Sequence, residues 1–165
     1  MVMIVISELE MAVGSESTIK IYDREKGKCT KTITGHSGLI RDLLLMEDEI
    51  TLFSGSDDKT IMMWNIYTAT CLKTFKGHNH SANKIILFQP NILCSASDDS
   101  NIKFWDISKG TCIHTLTKHK GWVIWVAVIQ DGSLVSVGSD KNVKFWKGKL
   151  LKEFWWNFDF GRYIK

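Results

Sequence analysis

The feature that most constrains this chain is a set of aromatic residues spaced at nearly equal intervals. The anchors Tyr22, Trp64, Trp105 and Trp146 are separated by 42, 41 and 41 positions. Similar residues surround each anchor, so most of the 165-residue chain consists of four copies of one sequence repeat. A repeat of this length indicates a row of similar units, each of which buries its apolar faces against its neighbours.

Each complete copy has a histidine near its start and a polar turn before its anchor. The first complete copy begins at Gly35-His36, reaches Asp58 in a polar turn and ends at Trp64. The corresponding residues are His78, Asp99 and Trp105 in the next copy, and His119, Asp140 and Trp146 in the last. With its recurring histidine and its Trp or Trp-Asp ending, the chain resembles the WD40-repeat family over about residues 9 to 156.

This resemblance implies an all-β fold made of β-propeller blades. We expect four four-stranded antiparallel sheets that form a partial, open or truncated propeller. Short apolar runs separated by turns agree with this, because such spacing is typical of antiparallel strands. The predicted blades cover residues 1–34, 35–76, 77–117 and 118–156, and an aromatic tail follows at 157–165. The whole chain is treated as one domain.

Four blades raise the question of closure, because members of this family usually form rings of more blades. Three explanations stay open: a fragment of a longer product, a half-ring that pairs with another chain, or a strained four-blade ring. Unpaired blade flanks expose apolar surface and strand edges, and both promote association. We therefore expect that the chain could self-associate through its open blade edges.

A polar quartet recurs in the three complete copies and superficially resembles a nucleophilic Ser-His-Asp set. Its members are His36, Ser56, Asp58 and Trp64, then His78, Ser97, Asp99 and Trp105, then His119, Ser139, Asp140 and Trp146. Catalysis needs one accessible nucleophile, whereas three copies indicate a structural role. The family resemblance implies a buried hydrogen-bonded chain from Asp through His and Ser to the Trp indole. We therefore predict that the chain is not an enzyme.

The cysteines follow the same repeat. Cys29, Cys71 and Cys112 each lie seven residues after the anchor of their copy. Equivalent positions in neighbouring blades are too far apart for a disulfide. We predict buried, apolar thiols in a reducing compartment, and hence an intracellular protein that is cytoplasmic or nuclear.

Other classes of site have little support in the sequence. A net charge of +3 does not favour nucleic-acid binding. No apolar run is long enough for a membrane span, and the apolar start is too short for a secretory signal. The close pair His78 and His80 lacks further ligands nearby, so we expect no metal and no cofactor.

The resemblance also implies a binding surface, because partners of such propellers often dock near the start of each inner strand and at the Asp turn. The residues at those positions are Leu39, Arg41, Asp57, Ser81, Asn83, Asp98, Trp122, Ile124 and Ser139. Trp122 is the strongest candidate, since exposed tryptophans are common binding hot spots; the alternative is packing against the neighbouring blade. The predicted function is a non-catalytic scaffold or adaptor that binds a protein or peptide. The alternative is a regulatory or substrate-recruiting module of a larger enzyme complex, such as a ubiquitin ligase or kinase, present here as a fragment.

Overall fold

The structure is a computed structural model that describes residues 1–146, and this part of the chain consists of β-strands and turns without a helix. The strands are β1 Val2–Val5, β2 Glu10–Ser15, β3 Thr18–Asp23, β4 Lys28–Thr34, β5 Ile40–Leu45, β6 Thr51–Ser56, β7 Thr60–Asn65, β8 Thr70–Lys76, β9 Ala82–Gln89, β10 Ile92–Ser97, β11 Ile102–Asp106, β12 Thr111–Leu116, β13 Val123–Val128, β14 Leu134–Gly138 and β15 Val143–Trp146. Within this range no helix is long and apolar enough to cross a membrane.

The strands form four antiparallel sheets in chain order. The sheets are β1–β4, β5–β8, β9–β12 and β13–β15. The predicted fold class is therefore confirmed, with four strands in each of the first three sheets and three strands in the described part of the last. The fourth strand expected near residues 150–155 and the aromatic tail at 157–165 lie outside the described residues.

The tight turn before each third strand depends on its aspartate. Asp58 Oδ1 accepts the backbone N–H of Thr60 at 3.0 Å, and Asp99 Oδ1 accepts that of Asn101 at 3.0 Å. Asp140 Oδ1 accepts the N–H of Asn142 at 3.1 Å. A carboxylate that bonds the backbone two residues ahead closes the turn without help from the strands. This geometry explains why an aspartate recurs at this position.

Neighbouring sheets pack face to face through apolar clusters. Between the first two sheets the cluster includes Ile19, Leu43 and Trp64. Similar clusters, around Phe53 and Trp105 and around Phe104 and Trp146, join the second sheet to the third and the third to the fourth. Contacts run from each sheet to the next in sequence, and the described sheets do not close into a ring. The strained four-blade ring is therefore not what the described sheets form.

The prediction that the repeated cysteines are buried is wrong. Cys29, Cys71 and Cys112 are free and exposed, and of the four cysteines only Cys94 is buried. The reason is their place in the sheet. Each of the three lies at the start of an outermost strand, where the first side chains face solvent.

Lysines on the outer strands connect each sheet to the next. Lys31 Nζ donates to the carbonyl oxygens of Ile66 at 2.8 Å and Tyr67 at 2.6 Å. Lys73 Nζ donates in the same way to the carbonyl oxygens of Ile107, at 3.0 Å, and Ser108. Because these carbonyls follow the third strand of the neighbouring sheet, the lysines hold adjacent sheets in register.

We predict that Lys31→Met lowers the free energy of unfolding by about 1 kcal/mol, because two charge-assisted hydrogen bonds are lost at a partly exposed site. The measurement is urea unfolding followed by tryptophan fluorescence. Lys28→Met is the matched control, since Lys28 lies at the exposed start of the same strand. Equal effects of the two substitutions would contradict a specific role for Lys31.

Candidate functional site

The polar residues of the second sheet form a continuous hydrogen-bonded chain in the interior. His36 Nδ1 lies 2.7 Å from Asp58 Oδ2, and His36 Nε2 lies 2.6 Å from Ser54 Oγ. The Trp64 indole N–H donates to the same Ser54 Oγ at 2.7 Å. Ser54 and Trp64 are buried, and the side chain of His36 has no solvent exposure.

The same chain recurs in the third and fourth sheets. His78 Nδ1 lies 2.8 Å from Asp99, and Ser95 Oγ lies 2.7 Å from His78 Nε2 and 2.8 Å from Trp105 Nε1. In the fourth sheet the chain runs through Asp140, His119, Ser136 and Trp146 with distances of 2.7–3.0 Å. Within residues 1–146 no buried side-chain polar atom is left without a partner.

The chemistry of the carboxylate and the indole fixes the direction of the hydrogen bonds at the two ends of this network. An ionised carboxylate only accepts, and an indole N–H only donates. His36 Nδ1–H therefore donates to Asp58 and Trp64 donates to Ser54, and the Ser54 hydroxyl is hydrogen-bonded to His36 Nε2. Each donor then meets an acceptor, which is the condition under which a buried polar network is stable.

The aspartates at the end of each chain are held in their ionised form. Burial raises the pKa of Asp99, but the hydrogen bond and electrostatic attraction from His78 and the backbone N–H groups of Asn79 and Asn101 outweigh it, so the pKa lies well below its usual value. The pKa of Asp58 is lowered in the same way against the effect of burial, by Thr60, the Ser37 N–H and His36. These shifts stabilise the folded state at neutral pH.

The prediction that Ser56, Ser97 and Ser139 belong to the network is wrong. Ser56 Oγ instead donates to the carbonyl of Gly38 and accepts the N–H of Asp58, and Ser97 makes the equivalent bonds to His80 and Asp99. Ser139 is exposed, and Ser136 takes its place in the chain. The physical reason is distance along the strand, because Ser56 and Ser97 lie two residues beyond the network serines, on the same side but too far from the indole. Ser139 follows the end of β14.

A sequence signal for the correct serines exists. Ser54, Ser95 and Ser136 each lie ten residues before their anchor tryptophan. The predicted serines, Ser56, Ser97 and Ser139, lie eight residues before the anchor in two copies and seven in the third. Constant spacing from the anchor therefore identifies the network member that the Ser-Asp turn motif misplaced.

The geometry of Asp58, His36 and Ser54 is that of a nucleophilic triad, yet its surroundings differ. The serine hydroxyl is buried and already receives the Trp64 indole N–H. A nucleophile needs access to substrate and to a group that stabilises an oxyanion. The arrangement therefore stabilises the sheet and leaves the serine without a substrate-accessible face.

The first sheet lacks this chain. Tyr22 occupies the anchor position, and Val13 lies in the register position that Ser54 holds in the second sheet. The turn residue is Glu16, which is exposed and has a φ of 52°. The first sheet is therefore formed without the internal network that the other three sheets share.

The residues predicted to bind a partner lie together at one edge of the sheets, which we call the rim. The rim consists of Leu39, Arg41, Asp57, Ser81, Asn83, Asp98, Trp122, Ile124 and Ser139. In each of the last three sheets a backbone bond joins the inner strand to the turn, from the N–H of Asp57, Asp98 or Ser139 to the carbonyl of Leu39, Ser81 or Trp122, at 2.8–3.1 Å. Equivalent positions thus form the same local geometry three times.

Polar contacts connect the rim within the second and third sheets and between the third and fourth. Arg41 donates to both carboxylate oxygens of Asp57, with Nε–Oδ1 at 2.6 Å and Nη2–Oδ2 at 2.7 Å. Asn83 Nδ2 donates to Asp98 Oδ1 at 2.6 Å and to the carbonyl of Val123 at 3.1 Å. The Arg41 hydrogen bond is also the largest influence that lowers the pKa of Asp57, which keeps this pair charged.

The apolar part of the rim is exposed. Trp122 is 60% exposed, and Leu39 and Ile124 are also exposed. The alternative in which Trp122 packs against the neighbouring sheet therefore does not hold in the described part of the chain. The rim thus combines exposed apolar side chains with one ion pair, Arg41–Asp57, whose geometry is fixed.

A buried charged contact beside the rim was missed from the sequence. Asp42 accepts Lys84 Nζ at 3.0 Å and the backbone N–H of Ile85 at 2.8 Å. Lys84 Nζ also lies 4.5 Å from the centre of the Trp125 ring. Burial raises the pKa of Asp42 in spite of these donors. The three side chains belong to successive inner strands, so no motif within a single repeat indicates their contact.

Four antiparallel sheets in chain order, three of them stabilised by a buried Trp-Ser-His-Asp network, define a protein built from β-propeller blades. Residues 27–65, 69–106 and 110–147 match the family model "WD domain, G-beta repeat". These matches cover more than half of the chain, so the chain belongs to the WD40-repeat family.

Relatives and solved structures agree with this assignment. The WD40 β-propeller domain of Doa1 superposes with a TM-score of 0.82 at 25% sequence identity, covering 90% of this chain and 51% of that one. The nuclear distribution protein PAC1 of Gibberella zeae is 39% identical over 69 residues, 41% of this chain and 15% of the relative. An F-box protein of Saccharomyces cerevisiae is 44% identical over 55 residues, 33% of this chain and 9% of the relative. The chain thus spans a small part of the curated relatives that it matches.

We predict that Ser54→Ala lowers the free energy of unfolding by about 2–3 kcal/mol, because it leaves His36 Nε2 and the Trp64 indole N–H without their buried partner. Urea unfolding measures the change. Ser56→Ala is the matched control and should cost about 1 kcal/mol, since only turn bonds are lost. The reverse order of effects would contradict the assignment of Ser54 to the network.

We predict a specific pH dependence for the stability that Asp99 contributes. Its pKa is lowered on folding, so its contribution is complete above the unfolded-state value of about 3.9 and is lost as the pH falls toward the folded-state value. The difference in free energy of unfolding between wild type and Asp99→Asn should therefore be largest near neutral pH. Denaturant unfolding at a series of pH values should show this difference shrink below about pH 4. A difference in free energy of unfolding that stays constant down to low pH would contradict the conclusion that Asp99 is ionised in the folded protein.

Proposed function

We propose that this chain is a non-catalytic protein-interaction module that binds a protein or peptide at the rim. The observation that carries the proposal is the exposure of Trp122 and Ile124 on the same rim that holds the fixed Arg41–Asp57 pair. Aromatic and arginine side chains near the centre of a surface dominate many interfaces. The anchor tryptophans of the described sheets are buried, whereas Trp122 lies outside the apolar clusters that join those sheets.

The chemistry of the rim favours a peptide that offers both apolar and polar groups. An apolar side chain would pack on Trp122 and Ile124, and hydrogen-bonding groups would meet Asp57 and Asp98. Because Arg41 already pairs with Asp57, the partner need not supply an extra charge to satisfy it. The charges of the rim therefore orient a partner more than they attract it from a distance.

A role as an enzyme has little support in this geometry. The recurring Ser and His groups are buried and bonded to tryptophans, and no group of three or more potential metal ligands occurs within residues 1–146. The family generally acts through binding. We propose an intracellular location, cytoplasmic or nuclear, which agrees with the free, exposed thiols of Cys29, Cys71 and Cys112.

A second proposal is that the module recruits substrates or regulators within a larger enzyme complex. Similarity to an F-box protein over part of the chain supports it. Affinity purification with mass spectrometry separates this role from that of a stand-alone adaptor. Co-purification of a ubiquitin ligase or kinase catalytic subunit would support the enzyme-complex role, and its consistent absence would favour the adaptor.

We predict that combined Arg41→Ala and Trp122→Ala substitutions reduce recovery of bound partners by about tenfold or more, because hot-spot side chains contribute most of the binding energy. The measurement is quantitative pull-down from cell extract with mass spectrometry. Tyr67→Ala is the control, since Tyr67 is similarly exposed but lies in a turn between outer strands, away from the rim.

The variants should melt at the wild-type temperature, because the altered side chains lie at the surface. Partner lists and amounts that do not change between wild type and the double variant would remove the rim from consideration. Loss of partners in the Tyr67→Ala control as well would indicate binding elsewhere on the sheets.

A further inference from the structure

Every interface between neighbouring sheets uses the same two sets of positions. One set lies three residues before each anchor, and the other lies on the inner strand of the next sheet. The first set is Ile19, Ile61 and Ile102, and the second is Leu43, Ile85 and Val126. All six side chains are at most 5% exposed. Each internal interface between the described sheets is therefore closed and apolar at these positions.

The last sheet presents the first of these surfaces without a covering partner within the described chain. Val143 and Phe145 lie three residues and one residue before the anchor Trp146, as Ile102 and Phe104 do before Trp105. Ile102 and Phe104 are fully buried, whereas Val143 is 56% and Phe145 is 62% exposed. Val137 pairs with Val143 across the strands and is also exposed. We call Val137, Val143 and Phe145 the far face.

The first sheet presents the second surface. Met3 pairs with Val13 in the register that Leu43 has with Ser54, so Met3 occupies the position of Leu43. Met3 is 57% and Val5 is 54% exposed, while Leu43 is buried. An apolar groove lined by Met11, Val13 and Tyr22 lies on the same sheet. We call Met3, Val5, Met11, Val13 and Tyr22 the near face.

We propose that two copies of this chain associate head to tail, with the far face of each packed on the near face of the other. The two faces are the two halves of one interface that the chain forms three times internally. A surface that the chain already pairs with its own repeat is matched in shape, spacing and apolar character to a second copy. This association does not involve the rim and does not depend on the proposed function.

The extent of the described sheets supports a closed pair. The chain covers 51% of the Doa1 propeller domain with a TM-score of 0.82, so two copies supply about the amount of sheet found in that solved propeller. Contacts between unlike faces close into a ring when the rotation per copy completes the circle, and otherwise continue into open chains. Two copies with matched far and near faces would form such a ring with twofold symmetry.

The test is sedimentation of the 165-residue chain with charged substitutions in each face. Wild type should sediment with twice the 18.8 kDa mass of one chain. Met3→Lys alone and Phe145→Glu alone should each give a single-chain mass, because either change places a charge in both interfaces of the ring. Leu72→Lys is the matched control: Leu72 is exposed on an outer strand away from both faces, so this variant should sediment like wild type.

Mixing the two charged variants distinguishes unlike pairing from like pairing. An equal mixture of Met3→Lys and Phe145→Glu should regain the two-chain mass, because one far-to-near interface is then unaltered and the other joins opposite charges. Circular dichroism and thermal melting check that each variant is folded. A wild-type chain that remains single at all concentrations, a pair that survives either single substitution, or open-ended oligomers would each overturn the proposal.

Discussion

The structure depends on one interaction above all, the hydrogen bond from a buried indole N–H to a serine that is itself bonded to a histidine and, through it, to an aspartate. This hydrogen-bonded network joins the third strand, the second strand and the loop before the first strand of a sheet. It therefore ties the loop before the first strand to the second and third strands, to which no backbone ladder connects it. A low-dielectric interior strengthens such a network when every group has a partner and penalises it heavily when one does not. The anchor tryptophans also supply the largest side chains of the apolar clusters.

This arrangement divides the residues of each repeat by role. The histidine, serine and tryptophan are internal, and the aspartate connects the network to the turn. Gly35 has a φ of 154° and lies so close to the Trp64 ring that an added Cβ would be only 2.7 Å from it, which shows how tightly the loop lies on the network. The residues just beyond that loop, such as Arg41 and Trp122, are consequently held in place while their side chains remain available to a partner.

The sequence alone predicted the fold because the same residues recur at the same spacing in successive repeats. The anchors and the Asp turns recur in the second, third and fourth sheets where the repeat places them. The finer errors have physical causes. Ser56 was preferred over Ser54 because the Ser-Asp motif is conspicuous in the sequence, while spacing from the anchor decides which hydroxyl reaches the indole. Cys29 was expected in the core, yet its place at the start of an outer strand exposes it. The Asp42–Lys84–Trp125 contact links three successive repeats and leaves no signal within any one of them.

The recurring polar residues stabilise the interior of each sheet that carries them, and we propose that the side chains around them bind the partner. Hydrogen exchange of the tryptophan indole protons, followed by NMR, tests this claim most directly. The indole protons of Trp64, Trp105 and Trp146 should exchange slowly, because each donates to a buried serine, whereas that of Trp122 should exchange at the rate of exposed indole. Fast exchange at Trp64, Trp105 and Trp146 would show that the network is open to water and would contradict the account.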